Sequence, residues 1–238
     1  MLHFKTFFQK ENKKMKILKI SIITGIFLIL NTIASAQIID NYAVRIGAGF
    51  SNQYWNYKSF SNLSNWKDDK IGFIGQFAVE KEIGNNLSVR PAIGYIQKGF
   101  NDNITITTIE GDEIELVESK MILHNISMDI AFKIKPIQSK ILPYFLVGMR
   151  TNYLIDCKEP TIEFQGEEHE IYNELSTEFK NFTLDQILGI GFIYQNKYFL
   201  EIEYNPSLTK ILDLEGITIK DRYFNLTLGC NINELRNN

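Results

Sequence analysis

Alternation of apolar and polar side chains with a period of two recurs along this chain and constrains its fold more than any other feature. The clearest example spans residues 121–135, where Ile130 and Phe132 fall on one face and Asp129 falls on the other. Successive side chains of a β-strand point to opposite faces, so the stretch predicts a strand with one apolar and one polar side.

Eight strands of this kind are predicted. They span about 42–50, 70–83, 87–99, 121–135, 142–153, 182–194, 198–204 and 222–232. The connections between them alternate between long and short. The long connection at 100–120 carries a hairpin pattern around Glu110-Gly111-Asp112, which predicts that the third and fourth strands extend into it. Pro91 cannot donate to a strand ladder and predicts a bulge in the third strand.

Alternation alone leaves two kinds of barrel open. With the apolar face inside, the chain would be a soluble, lipocalin-like barrel with a ligand cavity. With that face outside, it would be a transmembrane barrel. Glycines and charges of both signs share the polar face, and aromatic residues lie near strand ends, as in barrels with interfacial girdles. The sequence therefore predicts an all-β, eight-stranded, antiparallel up-and-down transmembrane β-barrel, with short turns and both termini in the periplasm.

The first 36 residues have the organisation of a cleaved export signal. A lysine-rich leader precedes an apolar run from Ile20 to Leu30, and Ala34-Ser35-Ala36 offers a small-x-small cleavage site. We predict a signal peptide at 1–36 and a barrel domain at 37–238, with Met15 as an alternative start. A single inner-membrane anchor is the other interpretation, but the apolar run is shorter than the roughly 18–20 residues that a spanning helix needs.

The composition of residues 37–238 excludes some functions. These residues carry 19 basic and 27 acidic side chains, a net charge of −8. Nucleic-acid binding would require basic clusters for the phosphates, so we expect none. Two cysteines are too few for a domain stapled by disulfides.

Charged residues of the polar face are the main candidate site. Those predicted to form a structural ion-pair network in the lumen are Arg45, Glu80, Arg90, Asp129, Lys133, Asp185, Glu201 and Glu203. Side chains can just fill the interior of eight strands, and buried charges need partners. We therefore expect a plugged lumen, with a narrow pore for small solutes as the alternative.

Two histidines of residues 37–238 are candidates for a catalytic or metal-binding role. His124 lies on an apolar strand face with Ser127 on the opposite face, so an interfacial histidine is favoured over a lipid-modifying enzyme. His169 lies in the acidic run Glu167–Glu170, where a solvated loop is favoured over a cation site. We expect no catalytic, cofactor or metal site.

Four stretches carry a resemblance to a known family. They are Gly72–Gly75, Leu87–Gly99, Pro143–Gly148, and Glu201–Tyr204 with Ser207–Thr209. In these the chain resembles the PorT-type outer-membrane β-barrels, small porin-like barrels of Gram-negative bacteria. The resemblance implies an outer-membrane location in the cell envelope and, as in some relatives, assistance to secretion. We expect a monomeric, non-enzymatic barrel with a structural or loop-mediated interaction role, in contact with outer-membrane lipid and a protein partner at its extracellular loops.

The cleavage prediction can be tested directly. Protein isolated from membranes should begin at Gln37, because Ala34 and Ala36 fit the small pockets of a signal peptidase. N-terminal sequencing that finds residues 15–36 retained would contradict the export prediction.

Overall fold

Twelve strands and one short helix form within the described part of the chain, which comprises residues 39–58, 64–107, 113–137, 139–159, 161–164, 167–170 and 176–236 of the computed structural model. The strands are β1 (Asn41–Tyr57), β2 (Ser64–Trp66), β3 (Lys70–Glu82), β4 (Leu87–Thr107), β5 (Glu113–Ile134), β6 (Ile141–Lys158), β7 (Thr161–Phe164), β8 (Glu167–Glu170), β9 (Phe182–Tyr194), β10 (Tyr198–Pro206), β11 (Leu212–Asp213) and β12 (Ile217–Asn231). The helix α1 spans Ile232–Arg236.

Eight of these strands close into a ring. Strands β1, β3, β4, β5, β6, β9, β10 and β12 pair antiparallel in that order, and β12 pairs back to β1 from Ala43↔Asn231 to Tyr57↔Ile217. Strands β2 and β11 add short pairings to β1 and β12, while β7 and β8 form a separate two-stranded sheet. The predicted eight-stranded up-and-down barrel is confirmed.

The two ends of the barrel differ. Three short connections, after β3, β5 and β9, share one end with the start of β1 and the end of β12. We call this the turn end, and the opposite end the loop end. The turn after β9 places Gln195 and Asn196 at φ of 52° and 57°, the backbone of a type I′ hairpin turn. At the loop end, β4 and β5 pair as far as Thr107↔Glu113, so the predicted extension of these strands is confirmed.

The apolar face of the wall points outward. Ile130 on β5 is 61% exposed, whereas its neighbours Asp129 and Ala131 are 1% and 0% exposed. The same alternation holds around the ring, since Ile46, Phe73, Phe145 and Leu228 are exposed and the adjacent side chains face the lumen. A soluble barrel with an apolar interior is thereby excluded, and the wall is built to face lipid.

Pro91 does not produce the predicted bulge. Residues Ala78↔Ala92 and Lys81↔Val89 pair in one unshifted register across it, and Pro91 itself pairs opposite Ile130. The pairing of β4 with β3 is interrupted only between these two residue pairs. The prediction was wrong because an extra residue would have turned the following side chains of β4 to the opposite face. A missing N–H donor therefore leaves a gap in the ladder instead.

Face assignment leads to a stability prediction. Ile130→Arg should lower the free energy of unfolding in lipid vesicles by roughly 2–4 kcal/mol, the cost of a cation on a lipid face near the midplane. Ile130→Leu keeps the apolar face and is the matched control. Denaturant titration of both variants measures the difference, and equal stability would mean that Ile130 does not face lipid.

Candidate functional site in the barrel lumen

A charge-balanced cluster crosses the lumen midway along the barrel. We call it the central cluster; its members are Arg45, Arg90, Arg150, Asp129, Glu201 and Glu203, all with side chains at most 2% exposed. Arg45 on β1 is 2.9 Å from Asp129 on β5, three strands away around the wall. On the other side it contacts Glu201 at 2.7 Å and also Glu203. One guanidinium thus joins opposite sides of the barrel.

Arg150 contributes a forked contact to the same cluster. Its Nε and Nη2 donate to the two carboxylate oxygens of Asp129 at 2.7 and 2.6 Å, a bidentate geometry that fixes both groups. Nη2 also donates to Glu203 at 3.0 Å. Arg90 completes the set by donating to Glu201 and, at 3.2 Å, to Glu203.

Neutral side chains supply further hydrogen bonds to the three carboxylates. Tyr144 donates its hydroxyl to Glu201 at 2.6 Å, Gln76 donates to Asp129 at 3.0 Å, and Asn225 donates to Glu203 at 3.2 Å. Three cations therefore face three anions whose oxygens are also hydrogen-bonded. This is the condition under which buried charges are tolerated.

The remaining predicted residues lie in two separate groups. Toward the turn end, Lys133 on β5 is 2.5 Å from Glu80 on β3, which also accepts from Ser88 at 2.6 Å. Toward the loop end, Asp185 on β9 is 2.6 Å from Lys98. On β4, the fully buried Ile96 faces the lumen between Lys98 and Arg90 and so separates the loop-end group from the central cluster. The structure thus brings five of the eight predicted residues into the central cluster, and places Lys133 and Glu80 in one group and Asp185 in another.

Apolar side chains close both ends of this charged region. Leu146, Ile193 and Phe199 are buried near the turn end, and Trp55, Phe100 and Met121 are buried near the loop end. Sequence reasoning missed these inward-facing residues because it assigned the lumen to the polar face. The inward-facing glycines are the sequence signal that could have indicated these residues, because they leave space in the lumen for large side chains.

Those glycines make room for the large inward side chains. A Cβ on Gly229 would lie 2.1 Å from the ring of Phe199, and one on Gly191 would lie 2.3 Å from the ring of Tyr144. A side chain at either position would displace the aromatic ring from the lumen. Glycine is therefore required there by space rather than by backbone conformation.

The sequence matches the family described as "Outer membrane protein beta-barrel domain" over residues 35–213. The chain belongs to this family. It is an outer-membrane β-barrel protein, and its wall has the even strand number, the closure and the outward apolar face that are general features of transmembrane β-barrels. A comparison with curated protein sequences gave no significant match.

Three solved structures are similar to this chain at low sequence identity. Ail, the attachment invasion locus protein of Yersinia pestis, is 10% identical over 79% of this chain and 99% of its own, with a TM-score of 0.36. OprG of Pseudomonas aeruginosa is 9% identical over 81% and 95%, with a TM-score of 0.43. Outer membrane protein W of E. coli is 9% identical over 82% and 99%, with a TM-score of 0.39.

The other candidate residues of this outer-membrane barrel do not assemble into a site. His124 lies on the outer face, where its Nδ1 shares a hydrogen bond with the Tyr95 hydroxyl. Ser127 lies in the lumen and accepts from Gln76 at 2.7 Å, so the wall separates it from His124. The His169 side chain, Ala36 and Gln37 lie outside what the structure describes. No group of metal-ligating side chains occurs among the described residues.

The described residues contain no helix with the length and apolar character of a membrane-spanning segment.

The central cluster leads to a prediction with an internal control. Arg150→Met should destabilise the barrel by roughly 3–5 kcal/mol, because it leaves the buried carboxylates with one cation too few. Asp129→Asn added to Arg150→Met restores the charge balance and should recover part of the loss. Denaturant titration in detergent measures both, and Lys140→Met at the exposed turn end is the surface control. A double variant no more stable than the single variant would contradict charge balance as the cause.

Proposed function

We propose that this protein is a non-enzymatic integral outer-membrane barrel with a closed lumen, which acts through the loops that it displays outside the cell. The observation that carries the proposal is the central cluster. Arg45 is hydrogen-bonded to carboxylates from strands on both sides of the barrel, so a permeating ion would have to separate paired charges that are shielded from water.

Two further layers support a closed lumen. Phe199 and Leu146 fill the section near the turn end, and Trp55 and Phe100 fill the section near the loop end. The Trp55 and Phe100 rings pack edge to face with centroids 5.5 Å apart. An ion that crosses the lumen would have to pass one apolar section, then the central cluster, and then the second apolar section. An eight-stranded wall is narrow enough for side chains to fill it in this way.

The asymmetry of the two ends supports the role of the loops. Outer-membrane barrels have short periplasmic turns and longer extracellular loops, so we place the loop end outside the cell and both termini in the periplasm. On this basis the long connections reach beyond the membrane, where a protein partner can bind them. A PorT-type role, which would include a part in secretion, is supported only by the four short sequence motifs that resemble that family. The separation of His124 from Ser127 gives no support to a lipid-modifying enzyme.

Conductance distinguishes a closed barrel from a pore. Purified protein in planar lipid bilayers should show no steady conductance, measured beside an open porin as the positive control. Arg90→Ala should also stay closed, because Tyr144 and Phe199 still fill the adjoining section. Steady single-channel currents through the wild-type protein would overturn the closed-lumen proposal in favour of a narrow pore.

A further inference from the structure

An open cleft of about 560 Å³ lies on the outer face of the wall toward the loop end, over β1, β10 and β12. The side chains that define it are Lys58, Lys210, Lys220, Arg222, Tyr54 and Trp66. The four basic side chains in this cleft contrast with the net charge of −8 of residues 37–238 as a whole. The cleft is separate from the lumen, because even-numbered side chains of β1 and β12 point outward here as they do in the apolar belt below.

The level of the cleft relative to the belt is set by the strands. Phe224 on β12 is exposed and stacks on Tyr204 with ring centroids 4.6 Å apart, as expected of an interfacial aromatic pair. Arg222 and Lys220 precede Phe224 by two and four residues on β12 and so lie nearer the loop end. At about 3.3 Å per residue and a tilt near 45°, they lie roughly 5 and 10 Å beyond the pair. Lipid headgroups occupy this layer.

Two of the four cations are partly neutralised. Asp213 lies 3.0 Å from the ammonium of Lys58 and 3.2 Å from that of Lys210. The hydrogen bonds from Lys58 and Lys210 lower the pKa of Asp213, so its carboxylate is ionised at neutral pH. Since one carboxylate is shared between two ammonium groups, this part of the cleft retains a net positive charge.

Arg222 and Lys220 form no salt bridge with any described residue. The Arg222 guanidinium lies 3.9 Å from the centre of the Trp66 ring, and its Nε donates to Asn52 at 3.0 Å. These neutral partners orient the guanidinium and leave its other nitrogens available. A planar guanidinium held in this way suits the bidentate geometry of phosphate. Asp221 also lines the cleft, but its carboxylate is buried and accepts from Gln53 on the lumen side.

We propose that this cleft binds the phosphate of an anionic lipid headgroup in the outer leaflet, with Arg222 and Lys220 as its main contacts. The acyl chains of that lipid then lie on the apolar belt next to Phe224. The lipid source is favoured over a soluble anion because the cleft opens directly above the belt. This inference rests on the proposed orientation of the loop end, but it does not depend on whether the lumen conducts.

The test uses diphosphorylated lipid A as the probe, titrated into the full-length mature protein in zwitterionic detergent and followed by native mass spectrometry. At about 1 kcal/mol per cation near a charged lipid surface, Lys220→Gln should weaken binding about 5-fold. The double variant Lys220→Gln/Arg222→Gln should weaken it about 30-fold. Lys140→Gln makes the same change at the turn end and should leave binding unchanged. Lipid A without its phosphates should bind the wild type about as weakly as the double variant binds the intact probe.

Three outcomes would overturn the proposal. They are equal binding by the wild type and the double variant, an equal loss in Lys140→Gln, and displacement of the probe by inorganic phosphate at comparable concentration. The last would identify a site for a soluble anion. Lys220 is exposed and makes no described contact that the fold needs, so Lys220→Gln keeps the test valid if Arg222→Gln impairs folding. The mobility of unheated samples on gels checks that each variant is folded.

Discussion

Pairing of opposite charges inside a wall that faces lipid is the interaction on which the rest of this structure depends. Because the outer face must be apolar, period-two alternation turns the polar side chains inward, where they are removed from water. Arg45, Arg150 and Asp129 illustrate the solution, since each contacts partners from other strands and none is left uncompensated. The balance of three guanidinium groups against three carboxylates offsets the cost of removing these charges from bulk water.

The same contacts hold the strands in register. A shift of one residue in any strand of the wall would exchange its lipid-facing and lumen-facing side chains. In β1, β4, β5, β6 or β10, the shift would also remove a charged partner from the central cluster and leave another buried charge unpaired. Glycine has a matching role, because Gly229 and Gly191 receive the rings of Phe199 and Tyr144. The lumen is therefore filled by complementary volumes as well as by complementary charges.

Much of the wall could be predicted from the sequence because each residue of a one-layer barrel faces either lipid or lumen. The pairing of charges could not, since contact across a lumen depends on the stagger of eight strands. The sequence predicts Asp185 in one network with the central residues, but in the structure Asp185 pairs with Lys98. The inward positions of Leu146 and Phe199 were missed because apolar side chains on the polar face break the alternation. Pro91 shows that closure of the ring outweighs a local defect.

Closure joins the two strands that are farthest apart in sequence. Until β12 is synthesised and translocated, β1 and β10 are the edges of an open sheet, and their backbone N–H and C=O groups lack the partners that β12 provides. A hydrocarbon environment does not tolerate such edges. The chain therefore has no stable half-built state in the bilayer, and its last fifteen strand residues, Ile217–Asn231, decide whether any of the preceding wall can remain inserted.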